Sequence, residues 1–223
     1  MRKIFGVCCI ILGICCLIAS VGLIAYNHWE EENAQNSSEV ILQDIQACIL
    51  DNTHDDSSTE EVKQEKQAEQ EEVIEIPVDI PQEMLTTQVN GYDCIGVLTI
   101  PVLELELPVL TDWSYTKLKV APCRYSGSYF EKDFVIAAHN FQSHFGRLTA
   151  LQTKDLILFT DISGTVHSYE VVLLETLPAT AIEEMISSGF DLSLYTCTPG
   201  GASRLTVRCS AVVGHWMKSD AGN

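Results

Sequence analysis

An uninterrupted apolar stretch near the start of the chain limits what the remaining residues can fold into. Residues 4–26 contain 23 positions without one charged side chain. As a helix, the stretch would be about 35 Å long, enough to cross a hydrocarbon layer of about 30 Å. It is too long for a typical signal peptide, so we expect an uncleaved single-pass anchor. Arg2 and Lys3 precede it and three glutamates at 30–32 follow it, so the positive-inside rule predicts a cytoplasmic tail at 1–3 and an extracellular remainder.

The negative charge of the chain is concentrated directly after this anchor. The formal net charge is −18, and residues 27–75 contribute −13 of it through fifteen acidic residues and two lysines. Phosphate binding needs clustered Lys and Arg, so nucleic acid is not expected as a partner. We interpret residues 27–75 as an acidic extracellular spacer that holds a domain off the membrane, with a short helix that begins at Ser38. The predicted apolar stripe of this helix consists of Ile41, Ile45, Cys48 and Ile49.

From residue 76 onward the sequence changes to short apolar runs separated by turn residues. This pattern, with few long helices, indicates a mainly β domain of seven or eight strands, built as a sandwich or a closed barrel. We place this domain at residues 76–218 and a C-terminal tail at 219–223. The predicted strands cover 94–100, 103–107, 134–138, 156–159, 166–174, 192–195 and 205–209, and a helix is predicted at 181–187.

The last two predicted strands place a cysteine opposite an arginine. If residues 198–203, with one proline and two glycines, form a hairpin loop, then Cys197 faces Arg204 with Cβ atoms about 5 Å apart. In the same register Cys209 faces Leu192, about 17 Å along the strand from Cys197. That separation is too large for a disulfide between the two cysteines. We therefore expect Cys209 in the core and Cys197 beside a cation.

An unpaired cysteine beside a cation is a candidate nucleophile, because a nearby positive charge lowers the pKa of a thiol. Such a thiol also needs a basic partner, and His139 ends a predicted buried strand. On the residues alone, a protease-like site of Cys197, His139 and Arg204 competes with the interpretation that the three are unrelated packing residues. A structural zinc site is disfavoured, because the domain has neither CxxC nor HxxxH spacing.

The run that ends at the hairpin cysteine resembles a motif of the sortases, the membrane-anchored cysteine transpeptidases of Gram-positive bacterial surfaces. The family pattern is Thr-Leu-x-Thr-Cys followed by an arginine in the next strand, and residues 193–197 read Ser-Leu-Tyr-Thr-Cys with Arg204 after them. Residues 136–140, Ile-Ala-Ala-His-Asn, resemble the strand that ends at the family histidine. Ser193 replaces the usual Thr and Ala138 the usual Gly, which leaves the subclass open. The resemblance spans about 93–213 and includes the opening strands at 96–101 and 107–109.

This resemblance implies a closed antiparallel sortase-type barrel of about eight strands with short helices. It implies that Cys197 is the nucleophile, that His139 donates and accepts protons, and that Arg204 hydrogen-bonds the substrate carbonyl or oxyanion. Residues 181–190 are expected to form a wall of the peptide groove. The further residues expected to bind substrate are Thr196, Ala138 and Asn140.

The resemblance also implies the substrates. The donor would be an LPxTG-like sorting signal of a secreted surface protein, cleaved through a thioacyl-enzyme. The acceptor would be an amine of a peptidoglycan precursor or a pilin. No metal or other cofactor is expected. Two alternatives stay open, namely a non-catalytic sortase-like scaffold for surface or pilus assembly and a hydrolase that delivers the same acyl-enzyme to water. We also expect residues 1–75 to be dispensable for the chemistry.

Overall fold

The computed structural model describes residues 2–56 and 83–212 of the chain. Residues 57–82 and 213–223 lie outside the described residues. Both boundaries of the domain predicted at 76–218, and the predicted C-terminal tail at 219–223, therefore stay predictions. Within the described ranges, one long helix is followed by a set of strands with short helical segments between them. The mainly β character predicted for the second half of the chain is therefore confirmed.

The helices and strands have the following bounds. The helices are α1 at Arg2–Asp56, α2 at Tyr115–Leu118 and α3 at Ile182–Ile186, and single 3-10 turns occur at Pro101–Leu103 and Leu148–Ala150. The strands are β1 at Thr87–Val89, β2 at Tyr92–Ile100, β3 at Leu105–Leu110, β4 at Cys123–Ser126, β5 at Phe134–Ala137, β6 at Leu156–Asp161, β7 at Val166–Pro178, β8 at Leu192–Cys197 and β9 at Ser203–Ala211.

Eight of these strands form a closed barrel. The order is β2-β3-β4-β5-β8-β9-β7-β6, and β6 pairs back with β2, while β1 pairs with the start of β2. The predicted closed barrel of eight strands is confirmed, but the pairs β3–β4 and β5–β8 are parallel, so the barrel is mixed and not antiparallel throughout. The physical reason is connectivity. A long connection separates the strands of each parallel pair, and such a crossover returns the chain to the end where the first strand began.

Closure of the barrel depends on a close approach at Gly96. This residue has a φ of +154° and lies at a bulge in the register between β2 and β3. A Cβ atom at this position would lie 2.2 Å from the carbonyl oxygen of Thr160 and 3.1 Å from the Cα atom of Asp161. Both atoms belong to the backbone of β6 and cannot move aside. Only glycine therefore permits the pairing of β2 with β6 that closes the sheet.

The interior of the barrel contains the main apolar cluster. Cys209 is fully buried in it and pairs with Leu192, so its predicted position in the core is confirmed. Burial raises the pKa of the Cys209 thiol to about 12. Other members of the cluster include Ile95, Leu98, Phe134, Ile136, Phe159, Leu194 and Val207.

Helix α1 continues past the apolar stretch without a break and packs against the barrel. Ile41, Ile45 and Ile49 are buried, and Cys48 is half-buried, so the predicted stripe is confirmed. The prediction of a short helix that begins at Ser38 is wrong, because Ser38 lies buried in the middle of α1. The buried side chains of the stripe attach this part of the acidic segment to the barrel. The barrel side of the contact consists of Val89, Cys94, Val97, Leu110, Ala121, Cys123 and Ile162.

The first half of α1 has the length and composition to cross a membrane once. Its apolar side chains there are exposed, for example those of Leu17 and Ile24. Apolar side chains exposed on one helix would be stabilised by contact with lipid. The predicted membrane helix and the docked helix are thus two parts of one element.

Replacement of a buried stripe residue tests the docking of α1. In the full-length protein in detergent micelles, Ile45→Ala should lower the free energy of unfolding of the barrel by about 2–5 kcal/mol, because it leaves a cavity between helix and sheet. Val40→Ala is the matched control, since Val40 is exposed on the same helix, and its effect should stay within about 0.5 kcal/mol. Denaturant unfolding followed by fluorescence measures both. Equal small effects would mean that α1 does not pack on the barrel in solution.

Candidate active site

Two parallel strands, β5 and β8, end side by side at one rim of the barrel. The N–H of Ala138 donates to the carbonyl of Tyr195 at 3.2 Å, and the hydroxyl of Thr196 donates to the carbonyl of Ala138 at 2.9 Å. The residues that follow in the two strands are His139 and Cys197. Because the strands are parallel and in register, both residues leave the same end of the sheet on neighbouring strands.

The hairpin between β8 and β9 has the predicted register. Cys197 pairs directly with Arg204 across the two strands. Gly200 and Gly201 have φ values of +81° and +73°, which glycine adopts at little cost. The turn chemistry of the loop therefore determines which arginine lies opposite the cysteine.

Cys197 differs from the other cysteines of the barrel in its exposure. Of the four cysteines in residues 83–212, it alone is exposed, and it forms no disulfide. Cys94, Cys123 and Cys209 are fully buried, and burial raises the pKa of each thiol to about 12. Among these four thiols, Cys197 is the one that a substrate can reach.

Arg204 is bonded to the hairpin loop through one nitrogen of its guanidinium. Its Nη1 donates to the carbonyls of Gly201 at 3.0 Å and Ser203 at 3.1 Å, which ties it to the hairpin loop. Its Nε and Nη2 make no hydrogen bond to any of the described residues, and the side chain lines the same cleft as Cys197. The guanidinium thus has donors left for a carbonyl oxygen at the cysteine.

The imidazole of His139 is half-buried and packed against an aromatic ring. Its centroid lies 4.0 Å from that of Phe141, with 15° between the two ring planes. Its Nδ1 is buried and has no hydrogen-bond partner among the described residues. Burial lowers the pKa of His139 below its ordinary value, and the carboxylate of Glu30 opposes this shift. Within residues 10–53 and 83–212, no hydrogen bond joins His139 to Cys197.

An apolar and aromatic cleft of about 190 Å³ contains Cys197 and Arg204. The ring of Tyr125 lies 5.4 Å from those of Trp113 and Tyr195. Exposed apolar surface at such a concave site favours the binding of a ligand with apolar groups. The other lining residues include Tyr115, Ala138, Pro178, Ile182 and Met185.

The remaining predicted site residues occupy different positions around this cleft. Ala138 lines it, and Ile182 and Met185 of α3 form one side, within the predicted wall at 181–190. Thr196 is buried, and its hydroxyl is bonded to the backbone of the neighbouring strand. Asn140 is half-buried in the loop after β5 and does not line the cleft.

The aromatic side of the cleft was missed by the sequence analysis. Trp113, Tyr115 and Tyr125 lie in a loop, a single-turn helix and a short strand, where no hydrophobic periodicity draws attention to them. The only signal is the density of aromatic residues between 113 and 125. Tyr195 belongs to β8, the strand that carries the sortase-like motif, but the sequence analysis did not predict that it lines the cleft.

Arg208 lies on the same strand as Arg204 but has a structural environment. It is 1% exposed and pairs with Ser193, as predicted. It donates to the carboxylate of Glu175 at 2.7 Å, the hydroxyl of Ser193 at 2.9 Å and the carbonyl of Glu184 at 2.6 Å. Arg208 therefore joins three strands to the α3 wall, and it provides an internal control for Arg204.

Comparison with known protein families identifies the domain. The family model of the sortase domain matches residues 98–212, which is more than half of the chain. The chain belongs to the sortase family. Sortases are in general cysteine transpeptidases, and the eight-stranded barrel with a site cysteine at the end of a strand is consistent with that membership. A comparison with curated protein sequences finds no match.

Solved structures of sortases resemble the barrel. Sortase C1 from Streptococcus agalactiae has a TM-score of 0.50 at 22% identity, over 57% of this chain and 72% of that chain, and therefore has the same fold. Sortase C1 from Streptococcus suis has a TM-score of 0.49 at 28% identity, over 56% and 76%. Sortase A from Corynebacterium diphtheriae has a TM-score of 0.49 at 21% identity, over 54% and 61%. The neighbours bear class A, C and D names and do not select a subclass.

Thiol reactivity tests the exposure of the site cysteine. Brief treatment of the folded full-length protein with a limiting amount of a charged alkylating reagent should label Cys197 well before Cys94, Cys123 and Cys209, because only the thiolate of an accessible cysteine reacts quickly. Mass mapping of the peptides measures the order of labelling. Labelling of Cys94 or Cys123 ahead of Cys197 would contradict the assignment, and labelling in denaturant controls for intrinsic reactivity.

Proposed function

We propose that this protein is a membrane-anchored cysteine transpeptidase that cleaves an LPxTG-like sorting signal and joins the surface protein to an amine. The observation that carries the proposal is the direct pairing of an exposed Cys197 with Arg204 inside an apolar cleft, next to the strand end that bears His139. A nucleophile, a proton carrier and a cationic hydrogen-bond donor are the groups that acyl transfer requires.

The first step forms an acyl-enzyme. The Cys197 thiolate attacks the carbonyl carbon of the scissile peptide bond, and the carbonyl oxygen gains negative charge. Arg204, which is always protonated, donates to this oxygen with the nitrogens that the hairpin loop does not occupy. As the C–N bond breaks, the protonated His139 gives its proton to the leaving amine. The products are a thioester on Cys197 and the free C-terminal fragment.

The second step reverses the roles of the same groups. A primary amine attacks the thioester carbonyl, and the neutral His139 accepts a proton from the attacking nitrogen. The C–S bond breaks, Cys197 leaves as a thiolate, and a new amide bond remains on the surface protein. We assign the amine to a peptidoglycan precursor or a pilin lysine. Water in place of the amine would make the protein a hydrolase.

The cleft residues have distinct parts in this proposal. The aromatic side chains of Trp113, Tyr125 and Tyr195 provide the apolar surface for the sorting signal. Ala138 forms the floor beside the reacting carbonyl. Thr196 does not contact the substrate in this proposal. Its hydroxyl donates to the carbonyl of Ala138, and this bond keeps the strand that ends at Cys197 aligned with the strand that leads to His139. Asn140 lies in the loop outside the cleft, so it would contact only a substrate that extends beyond the cleft.

Location supports the same function. The apolar half of α1 has basic residues before it and acidic residues after it, which favours a cytoplasmic N-terminus and a barrel on the extracellular face. Sorting signals and cell-wall amines are both available at that face.

Capture of the acyl-enzyme tests the function. Full-length protein in detergent micelles, mixed with a peptide that contains an LPxTG-like signal, should gain the mass of the N-terminal peptide fragment at Cys197, whereas Cys197→Ala should gain none. With an added primary amine, mass spectrometry should detect the peptide–amine product. Formation of the acid alone would indicate a hydrolase, and absence of any adduct across a library of sorting signals would indicate a non-catalytic scaffold.

The two arginines of β9 test the role of Arg204 against a matched control. Arg204→Lys keeps the charge but loses the planar set of donors, so turnover should fall by about 100- to 1000-fold with little change in melting temperature. Arg208→Lys should lower the melting temperature, because an ammonium cannot satisfy the acceptors that Arg208 bonds, and should spare turnover per folded molecule. Turnover and thermal unfolding measured for both variants decide the assignment. A larger catalytic loss from Arg208→Lys would overturn it.

A further inference from the structure

Helix α1 contacts the barrel at the loop that carries His139. This loop, residues 139–147, is called the His139 loop. The carboxylate of Glu31 accepts a hydrogen bond from the backbone N–H of Gln142 at 2.6 Å. A hydrogen bond to an ionised acceptor is about twice as strong as one between neutral groups. The helix therefore holds the loop backbone directly, three residues from the imidazole.

The His139 loop is tied internally, so a restraint at one point acts on the whole loop. The carbonyl of Phe141 accepts from the N–H groups of His144 at 3.0 Å and Gly146 at 2.8 Å, and the carbonyl of His139 accepts from Phe145 at 3.1 Å. A Cβ atom on Gly146 would lie 2.6 Å from the carbonyl oxygen of Asn140. Such close backbone packing leaves little room for one residue to move independently.

The restraint reaches the imidazole through Phe141. The N–H that Glu31 binds belongs to the peptide group between Phe141 and Gln142, and the Phe141 ring stacks on His139 at 4.0 Å between centroids. In addition, Nε of Arg147 donates to the carbonyl of Gln142 at 3.2 Å. Gln142 is thus held at both its N–H and its carbonyl, and the ring beside it packs on the proton-transfer group.

The surroundings of His139 also include charged groups from other elements. Glu30 of α1 forms a salt bridge with Lys119, which follows α2, at 2.5 Å. Burial lowers the pKa of His139, while Glu30 raises it and Lys119 lowers it. His144, in the same loop, is fully buried, and burial lowers its pKa to about 4, so it stays neutral at physiological pH.

We propose that Glu31 is a positioning residue, which holds the His139 loop and its imidazole in place for proton transfer. This inference rests on the proposed function, because it assumes that His139 transfers the protons. Glu31 follows Tyr26, the last residue of the apolar stretch, by five positions, or about 7.5 Å along the helix. The element that anchors the protein is therefore also part of the support of its active site. The expectation that residues 1–75 are dispensable for the chemistry then fails at this residue.

Substitution of Glu31 in the full-length protein tests the inference. Glu31→Ala should lower kcat by about 10- to 100-fold with a small change in KM, since misplacement of a catalytic group costs rate more than binding. Glu31→Gln should retain most of the rate, because its amide oxygen can accept the same hydrogen bond. Glu39→Ala is the matched control, since Glu39 is exposed on the same helix and bonds only Gln35 among the described residues. It should leave kcat unchanged.

The titration of His139, followed by NMR of its ring in the same samples, provides a readout that does not need activity. Burial lowers this pKa in the intact loop, so release of the loop in Glu31→Ala should raise it toward its ordinary value of 6.5. Glu31→Gln removes the same charge but keeps the bond, so the pKa should stay near that of the unsubstituted protein.

The outcomes separate this inference from the proposed function. If the unsubstituted protein forms no acyl-enzyme, the proposed function fails, and the NMR titration still decides whether Glu31 holds the loop. If it is active and Glu31→Ala changes neither kcat nor the pKa of His139, the inference is wrong while the function stands. A lower melting temperature for Glu31→Ala with unchanged kcat and pKa would assign Glu31 to stability only and would also overturn the inference.

Discussion

The parallel pairing of β5 with β8 is the interaction on which the candidate site depends. It pairs residues that lie 58 positions apart in sequence, and the bond from Thr196 to the carbonyl of Ala138 extends it to the last residue before each site group. In an antiparallel pair the two chain ends would lie at opposite edges of the sheet. Because the pair is parallel, His139 and Cys197 leave the sheet at one rim. The cleft, the hairpin and the His139 loop are all arranged around that rim.

Strand β9 carries two arginines in different environments. Arg204 and Arg208 point to the same side, because side chains alternate along a strand. Arg204 lies at the open rim and keeps free donors, whereas Arg208 is covered by α3 and bonded to Glu175 and Ser193. A buried guanidinium needs all its partners, since an unpaired buried charge is costly. The two arginines therefore differ in their depth in the fold and not in residue type.

Helix α1 connects the candidate membrane span with the barrel and the loop that carries His139. Its apolar half is suited to lipid, its Ile41, Ile45 and Ile49 stripe packs on the barrel, and the turn between these parts contacts the His139 loop. A helix is stiff over this length, because each residue is bonded to the next turn. The barrel is consequently held in a defined orientation to the apolar half of α1, and residues 27–56 form a helix and not a solvated linker.

The sequence by itself determined the features that depend on nearby residues. The register of Cys197 with Arg204 follows from a loop of six residues with two glycines at positive φ, and the burial of Cys209 and the α1 stripe follow from periodicity. The pairing of β5 with β8, the aromatic side of the cleft and the bond from Glu31 to Gln142 were decided by the tertiary structure. The last of these joins residues 111 positions apart. Turn chemistry and side-chain alternation act over a few residues, whereas contacts between distant segments form only when the whole barrel closes and buries its core.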